Sequence, residues 1–504
     1  MTHVEGLSNM YPSLKEFLKL SKQGNVIPVY KEINADLDTP VSSFLKLSHG
    51  DYAFLLESVE GQEKLARYSF LGSKPCLVFI SKGRQIEISD LRNKSTRKFI
   101  TATSALDEIK KLMQDFRFVP VAGLPRFCGG LVGYMGYDSV RSFERIPDKN
   151  PDDLKLPDSI FMLTDNLLVF DHVNHTIKIV HNVMLAKNSS NGLKKKKALY
   201  ARAINKIEAL HKELNLTVRE TAKTLNPKTR CNKVSSNFTK SGFENIVKQA
   251  LAYIRNGDVI QVVLSQRFKI KINQQPFEIY RKLRRLNPSP YMYYLKLKGF
   301  FIIGASPEML VRCEDGLVQA RPIAGTRARG KNSREDALLS AELLHDKKEK
   351  AEHLMLVDLS RNDLGKVCLN NSIEVKDFMS IEKYSHVMHL VSEVKGTLDK
   401  KSYSIYDVLP AAFPAGTVSG SPKIRAMEII DELETLKRGP YAGCVGYFSF
   451  SHNLDTCITI RTIIVKDGFA YIQAGAGIVA DSQPEKEYFE SVNKAKALVE
   501  AIKQ

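Results

Sequence analysis

The chain has 504 residues, 43% of them hydrophobic, and its 74 basic and 56 acidic residues give a formal net charge of +18. This size and composition allow a large buried core, which excludes a disordered chain and a small protein that needs disulfides or metal to fold. The seven cysteines form no CxxC pair typical of zinc sites, and no run approaches the roughly 18 apolar residues of a membrane span.

The positive charge raises the question of nucleic-acid binding. An interface of that kind needs basic residues that cluster on one recognition element or alternate with aromatic residues that stack on bases. The densest basic run, residues 194–197, lies in a helical pattern, where lysines are typical of a solvated face. We therefore expect no nucleic-acid partner, no membrane association and a location in the reducing cytoplasm.

The chain divides into three regions by its local patterns. Residues 1–185 contain short strands broken by Gly and Pro, as in DYAFLLESVE, RYSFLGSKPCLVFI and FCGGLVGYMGYDSV. Residues 186–240 are rich in Lys, Asn and Ser, with one amphipathic helix pattern over 200–214, and are predicted to be a basic connector. Residues 241–504 have the clearest alternation of helix and strand patterns.

A helix opens the third region. Ser241 and Glu244 have the spacing of a capping box, apolar residues follow at helical spacing, and Asn256 with Gly257 ends the helix.

The strand that follows is VIQVVLSQRFKIKI. Its period of two places Gln261 off the core face. The residues on the core face are Ile260, Val262, Leu264, Phe268 and Ile270.

Several further strands are separated by too few residues for helical crossovers, so neighbours are expected to pair antiparallel. They are predicted at 291–297, 300–306, 308–314, 317–323, 442–450, 457–465 and 469–475. Helices are predicted at 349–364, 421–436 and 484–503. The expected fold class is therefore α+β, with large antiparallel sheets packed as a sandwich and flanked by helices.

Arg461 lies in the apolar segment CITIRTIIV. A buried guanidinium without a partner is very costly, so it requires an anion, which an internal carboxylate or a ligand carboxylate could provide. Gly475 and Gly477, at the predicted end of the strand FAYIQAG, would allow a carboxylate to approach the backbone closely. Glycines at a strand end are more commonly part of a turn.

Three carboxylates are candidates for a metal site. Glu487 and Glu490 lie three residues apart on one side of the last predicted helix, and Glu352 precedes the apolar run LMLVDL. Oxygen ligands from two helices suit Mg²⁺, which binds through one or two carboxylates plus an anionic substrate. Carboxylates on helices are usually solvated, and the spacing does not decide between these interpretations.

Three other residues are candidates for acid–base chemistry or anion binding. Glu308 and His389 are possible proton donors. His titrates near neutral pH, and the pKa of a carboxyl in a dry site is raised toward that range. Thr417 precedes a predicted helix, whose N-terminus favours an anion. The alternatives are a surface acid, a core histidine and an ordinary helix cap. The residues alone thus predict an anion-binding enzyme without naming its substrate.

Ten segments in order across residues 241–504 resemble the chorismate-utilising enzymes. They are DVIQVVLSQRF, NPSPYMYY, IIGASPEML, RPIAGTRARG, AEHLMLVDLSRNDL, YSHVMHLVSEVKG, FPAGTVSGSPKIRAMEIIDELE, GYFSF, DTCITIRT and QAGAGIVADSQPEKEYFE. LLESVEG, RYSFLG and GGLVGYMGYDSVR extend the resemblance to the N-terminal region. The resemblance implies a chorismate-binding catalytic domain at 241–504 and an N-terminal domain of the anthranilate synthase type at 1–185.

Two positions divide this family by the group that attacks chorismate. Isochorismate and salicylate synthases have a lysine base where this chain has Gln261, and aminodeoxychorismate synthases have a lysine nucleophile where it has Ala324. The resemblance therefore implies direct attack by ammonia, as in the large subunit of an anthranilate synthase, a lyase that forms anthranilate and pyruvate. The alternatives are an aminodeoxychorismate synthase and a catalytically silent RNA-binding or scaffold protein.

The resemblance also implies roles for single residues. The implied chorismate contacts are Gly325, Thr326, Tyr441, Arg461, Gly475, Ala476 and Gly477. The implied Mg²⁺ ligands are Glu352 and Glu490, with Glu487 close by. The implied catalytic set is Glu308 as general acid, His389 as a second acid–base group, and Thr417. A feedback pocket for tryptophan is implied at Glu57, Ser58, Asn287, Pro290, Tyr291 and Met292, with Lys64 or Arg67 as its basic residue.

The resemblance finally implies a partner protein. No nucleophilic Cys lies in a GxCxG turn, so the use of glutamine would require a separate glutamine amidotransferase subunit. Two large and two small subunits would form a heterotetramer, with Mg²⁺ as cofactor and tryptophan as inhibitor.

Overall fold

The computed structural model describes residues 10–58, 67–186, 192–217, 233–384 and 387–503. Strands of the N-terminal part are β1 (Met10–Tyr11), β2 (Val26–Asn34), β3 (Ala53–Glu57), β4 (Tyr68–Ser73), β5 (Leu77–Lys82), β6 (Gln85–Asp90), β7 (Ser95–Ile100), β8 (Gly130–Met135), β9 (Ser159–Thr164), β10 (Asn166–Asp171) and β11 (Thr176–Met184). Later strands are β12 (Ser235–Ser236), β13 (Gln261–Lys271), β14 (Tyr291–Leu297), β15 (Phe300–Ser306), β16 (Met309–Glu314), β17 (Leu317–Ala320), β18 (Ile323–Ala328), β19 (Glu374–Lys383), β20 (Val387–Thr397), β21 (Gly420–Ser421), β22 (Cys444–Ser449), β23 (Leu454–Ile458), β24 (Thr462–Lys466) and β25 (Phe469–Ile478).

The helices are α1 (Leu14–Leu20), α2 (Pro40–Leu47), α3 (Ala105–Met113), α4 (Leu193–Leu214), α5 (Lys240–Arg255), α6 (Pro276–Leu286), α7 (Ser333–His345), α8 (Lys347–Gly365), α9 (Ile405–Ala412), α10 (Lys423–Leu433) and α11 (Pro484–Lys503). Short 3-10 turns cover Tyr137–Ser142 and Gly416–Val418. Within the described ranges, no helix is both long and apolar enough to span a bilayer.

The strands form two large antiparallel sheets. The first sheet has the order β1-β2-β11-β10-β4-β3-β14-β15-β24-β25-β13-β12, and β21 also pairs with β13. The second has the order β18-β20-β17-β16-β23-β22-β8-β9-β5-β6-β7, and β19 also pairs with β20. In each sheet, strands from β1–β11 form one contiguous half and the later strands form the other half. The two halves join where β3 pairs with β14 in the first sheet and where β8 pairs with β22 in the second.

The two sheets pack face to face across an apolar core. Side chains from both sheets meet there, among them Phe54, Val132, Tyr134, Tyr293, Ile302 and Val445. Helices α1, α2, α4, α6 and α11 cover the outer face of the first sheet, and α3, α8 and α9 cover that of the second. Each large apolar side chain buried in this way stabilises the fold by about 1.5–3 kcal/mol. The predicted α+β sandwich with flanking helices is confirmed.

The predicted connector contains a packed helix. Helix α4 begins before the predicted start at residue 200, and it buries Tyr200, Ala203, Ile207 and Leu214. These side chains belong to the apolar core on the outer face of the first sheet. The helix therefore fixes this part of the connector to the sheet. Lys194, Lys195 and Lys197 are exposed, whereas Lys196 is half-buried and donates to the hydroxyl of Ser21 at 3.0 Å.

Two predictions at the start of the third region are wrong in detail. The side chain of Thr239, rather than Ser241, caps helix α5, because it accepts the N–H of Gly242. Ile260 is 64% exposed, because it precedes β13, which begins at Gln261. Gln261 itself is only 4% exposed, since β13 is covered on both faces. The helix ends at Asn256 as predicted.

Two predicted strand ends are also wrong. The segment 457–465 is not one strand, because β23 ends at Ile458 in the second sheet and β24 begins at Thr462 in the first. The strand predicted over 469–475 continues through Gly477 to Ile478 as part of β25. Both differences bear on the site, because the three residues that join the two sheets end with Arg461.

Candidate active site

Arg461 lies at the point where the chain crosses from one sheet to the other. Its backbone has a positive φ of 51°, and its Nη1 donates to the carbonyl oxygen of Lys494 at 2.5 Å. Burial lowers the pKa of the guanidinium. No carboxylate in the described part of the chain forms an ion pair with it. A neighbouring cavity of about 450 Å³ is lined by Arg461, Lys486, Phe489, Glu490, Asn493 and Lys494.

The glycines of β25 allow two side chains to approach the backbone. A Cβ on Gly475 would lie 2.6 Å from the carbonyl oxygen of Leu264 and 3.1 Å from the hydroxyl of Tyr441. A Cβ on Gly477 would lie 2.8 Å from Nε2 of Gln261. The backbone at Gly475 and Gly477 is therefore in close contact with its neighbours, among them a phenol and a carboxamide, and a side chain at either position would displace them.

Glu308 and Thr417 meet in a small cavity. The Thr417 hydroxyl donates to Oε1 of Glu308 at 2.8 Å. Burial raises the pKa of Glu308 to about 7, although this hydrogen bond and the charge of Lys494 act in the opposite direction. The cavity of about 40 Å³ is also lined by Ser360 and Asp363. A carboxyl with this pKa is suited to donate a proton near neutral pH.

His389 is held in one tautomer by the backbone. Its Nδ1 lies 3.1 Å from the carbonyl oxygen of Gly325 and 3.1 Å from the hydroxyl of Thr326. A carbonyl can only accept, so Nδ1 carries the hydrogen and Nε2 has the free lone pair. Burial, and then the charge of Arg461, lower the pKa of this imidazole. His389 is therefore a neutral base at physiological pH.

A bulge in β18 brings Gly325 to this position. The register with β20 shifts between Ala324 and Thr326, and Gly325 has a φ of 66°. Glycine adopts this conformation without strain. A Cβ at Gly325 would also lie 3.2 Å from Oε2 of Glu349, so the bulge lies against the carboxylates of helix α8.

The three metal candidates belong to an acidic group on α8 and α11. Burial first, and then the negative charges of Glu349 and Glu490, raise the pKa of Glu352. Burial and Glu490 likewise raise the pKa of Glu487. Such mutual repulsion is relieved by a cation, and the hard oxygen donors suit Mg²⁺.

The number of protein ligands in this group is limited. No set of three or more acidic, His or Cys side chains among the described residues is arranged to hold a metal ion. Lys494 partly neutralises Glu490, with Nζ 2.7 Å from Oε1. The group thus fits an ion held by two carboxylates and completed by an anionic substrate.

A separate cavity of about 1210 Å³ lies beside β3 and β14. Five of the six residues expected to bind tryptophan line it: Glu57, Ser58, Pro290, Tyr291 and Met292. Asn287 follows the end of α6 and is not among the lining residues. Arg67 lines the cavity and pairs with Asp171 at 2.9 Å, whereas Lys64 lies outside the described residues.

The polar groups in this cavity differ in their hydrogen bonds. Glu57 accepts hydrogen bonds from the hydroxyl of Tyr280 and, at 3.1 Å, from Nε of Arg284. The buried hydroxyl of Ser58 has no hydrogen-bond partner within the part of the chain that the structure describes. Nε of Arg312, which also lines the cavity, likewise has no hydrogen-bond partner in the described structure. Because a buried polar atom without a partner is unfavourable, both groups are suited to bind a ligand.

Sequence reasoning missed two charged residues of the site. Lys494 pairs with Glu490 and donates to the carbonyl oxygen of Gly475 at 3.1 Å. Glu349 raises the pKa of Glu352 and lies against the Gly325 bulge. The spacing of Lys494 four residues after Glu490 on one helix was the available signal. Glu349 had no signal of its own, since its neighbour Gly325 is distant in sequence.

Comparison with known proteins shows similarity along almost the whole chain. A family model described as chorismate binding enzyme matches residues 52–500. The anthranilate synthase component 1 of Acetivibrio thermocellus is 50% identical over 498 residues, which cover 98% of this chain and 99% of that protein. The anthranilate synthase component 1 of Aquifex aeolicus (strain VF5) is 49% identical over 497 residues, which cover 98% of each chain.

Solved structures show the same fold. Anthranilate synthase component I from Streptococcus pneumoniae TIGR4 matches with a TM-score of 0.75 and 36% identity, covering 93% of this chain and 99% of that one. MenF, the menaquinone-specific isochorismate synthase from Escherichia coli, has a TM-score of 0.69 and 19% identity, covering 97% and 99% of the two chains. At that identity the second match concerns the fold alone.

Proposed function

The chain belongs to the family of chorismate binding enzymes, and we propose that it is the large subunit of a cytoplasmic anthranilate synthase. One observation carries this proposal. The site contains a proton donor, Glu308 with a pKa of about 7, but a carboxamide at Gln261 and a methyl group at Ala324, neither of which is a base or a nucleophile. In the related enzymes, lysines at these two positions supply the base or the nucleophile, so their replacement favours direct attack by free ammonia.

In the first step, ammonia forms a bond to C2 of chorismate. The two ring double bonds shift by one position and the bond from C4 to its hydroxyl breaks. Glu308 gives its proton to the departing hydroxyl, which leaves as water, while the Thr417 hydroxyl holds the carboxyl in place. The added nitrogen then loses one proton, and Glu308 regains a proton from solvent.

In the second step, Nε2 of His389 takes the remaining proton from C2. The bond from C3 to the enolpyruvyl oxygen breaks, the ring becomes aromatic, and the released enolpyruvate is protonated to pyruvate. Chorismate and ammonia thus give anthranilate, pyruvate and water. The lone pair on Nε2 exists because Nδ1 donates to the carbonyl oxygen of Gly325.

The substrate carboxylates are proposed to bind at the sheet junction and the acidic group. Arg461 has no carboxylate partner among the described residues and suits a ligand carboxylate through parallel hydrogen bonds. Tyr441, the segment from Gly475 to Gly477, Gly325 and Thr326 would provide the other contacts to chorismate. Glu352 and Glu490, with Glu487 nearby, would hold Mg²⁺, which neutralises the ring carboxylate.

Ammonia would come from a separate glutamine amidotransferase subunit. Glutamine hydrolysis needs a thiolate nucleophile, and all the described cysteines are buried. Burial raises the pKa of Cys313 to about 11 and that of Cys444 to about 12. We propose a heterotetramer with two copies of each subunit. Purified chain should be inactive with glutamine and gain glutamine-dependent activity when an amidotransferase subunit is added.

Tryptophan would bind in the cavity beside β3 and β14 as a feedback inhibitor. Ser58 offers an unsatisfied hydroxyl, Glu57 offers a carboxylate, and Pro290, Tyr291 and Met292 contribute to the walls. A concave, mostly apolar site with a few convergent polar groups suits an aromatic amino acid. Because Glu308 does not line this cavity, inhibition would require two states of the protein that bind tryptophan unequally.

The decisive experiment incubates the pure chain with chorismate, Mg²⁺ and ammonium at alkaline pH. Anthranilate is followed by fluorescence, pyruvate by its reduction to lactate, and aminated intermediates by mass and NMR. Equal amounts of anthranilate and pyruvate are expected, and the Glu308→Gln variant should form both far more slowly. Accumulation of 4-amino-4-deoxychorismate without anthranilate would instead establish an aminodeoxychorismate synthase.

A further inference from the structure

A wholly buried ion pair lies beneath the site. The side chains of Arg438 and Glu434 are 1% and 3% exposed. Arg438 donates from Nε to Oε2 of Glu434 at 3.0 Å and from Nη2 to Oε1 at 2.6 Å. The two residues form a bidentate pair, in which the planar guanidinium and the carboxylate fix each other's orientation.

The remaining donors of Arg438 reach two backbone segments of the site. Nη1 donates to the carbonyl oxygen of Val418 at 2.6 Å, and Nη2 donates to that of Val263 at 2.7 Å. Val418 directly follows Thr417, the partner of Glu308. Val263 pairs with Gly477 across β13 and β25. The guanidinium of Arg438 thus holds both the turn that contains Thr417 and the strand β13, which pairs with the strand that contains Gly477.

Glu434 makes matching contacts with β13. Its Oε1 accepts the backbone N–H and the hydroxyl of Ser265, each at 2.8 Å. Ser265 pairs with Gly475, and its hydroxyl accepts from Nε2 of Gln473 at 2.8 Å. The carboxylate is therefore linked to the backbone opposite Gly475, while the guanidinium is linked to the backbone opposite Gly477.

An aromatic contact connects the same pair to a third part of the site. The guanidinium carbon of Arg438 lies 4.7 Å from the ring centroid of Tyr137 and 5.5 Å from that of Tyr441. These distances allow a cation–π attraction to both rings. The hydroxyl of Tyr441 lies close to Gly475, so Arg438 contributes to the position of this phenol as well.

Stability alone is a poor explanation for this arrangement. A buried ion pair is often no more stable than apolar residues of the same volume, because both charges must lose their hydration. Its effect lies in geometry, since rigid hydrogen bonds to backbone carbonyls leave the attached segments little freedom. The segments attached here carry Thr417, Tyr441 and the two glycines.

We propose that Arg438 and Glu434 are positioning residues for the reaction proposed above. They orient the Thr417 hydroxyl toward Glu308 and hold the strand that contains Gly475 and Gly477 against Tyr441. This inference rests on the proposed function. Neither residue contacts the substrate. Their loss should therefore reduce turnover by displacing Thr417 and leave the protein folded when both charges are removed together.

The test uses the double variant Arg438→Met with Glu434→Gln. It removes one positive and one negative charge, so the net charge near Glu308 is unchanged. We expect a thermal midpoint close to that of the original protein, a fall of tenfold or more in kcat, and a change of less than threefold in the KM for chorismate. A matched control, Lys178→Met with Glu32→Gln, removes an ion pair at the far end of the first sheet and should keep kcat.

A second readout does not depend on the reaction. The carboxyl of Glu308 is titrated by infrared difference spectroscopy, with Glu308→Gln to identify its band. The charged groups near this carboxyl, Lys494, Arg321 and Asp363, remain in the double variant. Because the Thr417 hydrogen bond lowers the pKa of Glu308, its displacement should raise that pKa.

The outcomes separate this inference from the proposed function. If the original chain makes no anthranilate, the proposed function fails, while the titration still tests the positioning of Thr417. An unchanged pKa together with unchanged kcat in the folded double variant would overturn the inference. Should that variant not fold, Ser265→Ala removes one link of the same network, and an unchanged pKa and kcat there would also overturn it. Arg438→Lys, which cannot reach both carbonyls, should not restore kcat.

Discussion

The hydroxyl of Thr417 lies 2.8 Å from Oε1 of Glu308 and opposes the effect of burial on this carboxyl. The balance places the pKa of Glu308 at about 7. A general acid must be protonated before the reaction, so it is active below this pKa and inactive above it. At neutral pH, therefore, Glu308 is protonated in only part of the molecules and can donate a proton in the proposed first step only in those.

The first prediction is the pH dependence that follows. The concentration of free ammonia rises with pH and must be divided out of the rate. The rate per free ammonia should be level below pH 7 and should fall as the pH rises through about 7. Anthranilate formation at several ammonium concentrations and pH values measures it. A rate per free ammonia that stays level far above pH 7 would exclude Glu308 as the acid.

Substitution of the acid itself gives the second prediction. Glu308→Gln keeps the size of the side chain and can still accept from Thr417, but it has no proton to donate. Turnover should fall by about 10²–10⁴-fold, the usual contribution of a general acid. The thermal midpoint should be the same or higher, because an amide costs less to bury than a carboxylate. A variant that retains more than about a tenth of the turnover would contradict the assignment.

Thr417 offers a sharper test, because one substitution removes its hydroxyl and another keeps it. Thr417→Val keeps the shape and removes the donor, so the pKa of Glu308 should rise and the fall in rate per free ammonia should move to higher pH. Turnover should decrease by about tenfold, equivalent to about 1.4 kcal/mol, as expected for one lost hydrogen bond to a charged group. Thr417→Ser should behave like the original protein. Identical pH profiles for the Val and Ser variants would show that this hydrogen bond has no effect on the acid.

These residues also show how far the sequence could predict the site. The sandwich followed from strand periods and short connections, and helix α11 was predicted with its observed bounds. The junction at Arg461 was not predicted. Residues 457–465, CITIRTIIV, are mostly apolar, and the crossing from one sheet to the other does not change the spacing of these apolar residues. The contact between Glu308 and Thr417 spans more than one hundred residues and depends on packing that no local pattern reports.

The acidic group gives a prediction for the metal. Glu352→Gln and Glu490→Gln each remove one proposed Mg²⁺ ligand, so the Mg²⁺ concentration for half-maximal activity should rise by at least about tenfold. Binding of Mn²⁺, followed by electron paramagnetic resonance, should weaken in parallel and does not require turnover. Glu485→Gln is the control on the same helix, since Glu485 pairs with Lys240 at the surface. Equal metal affinity in all three variants would remove these carboxylates from the site.

The last prediction concerns the cavity beside β3 and β14. The hydroxyl of Ser58 is buried and has no hydrogen-bond partner among the described residues, so a ligand that hydrogen-bonds to it gains a contact without breaking a bond to any of them. Ser58→Ala should raise the inhibition constant of tryptophan by about tenfold, equivalent to about 1.4 kcal/mol. Turnover without tryptophan should be unchanged, because Ser58 lines a cavity that does not contain Glu308.

Ser43 provides a matched control for this substitution. Its hydroxyl is also buried without a partner in the described ranges, but it lies on helix α2 and does not line the cavity. Both Ser→Ala variants remove an unsatisfied buried hydroxyl, so both should keep or slightly raise the thermal midpoint. Only Ser58→Ala should change inhibition, measured as anthranilate formation against tryptophan concentration and as tryptophan binding by calorimetry. Equal inhibition in the two variants would mean that tryptophan does not bind at Ser58.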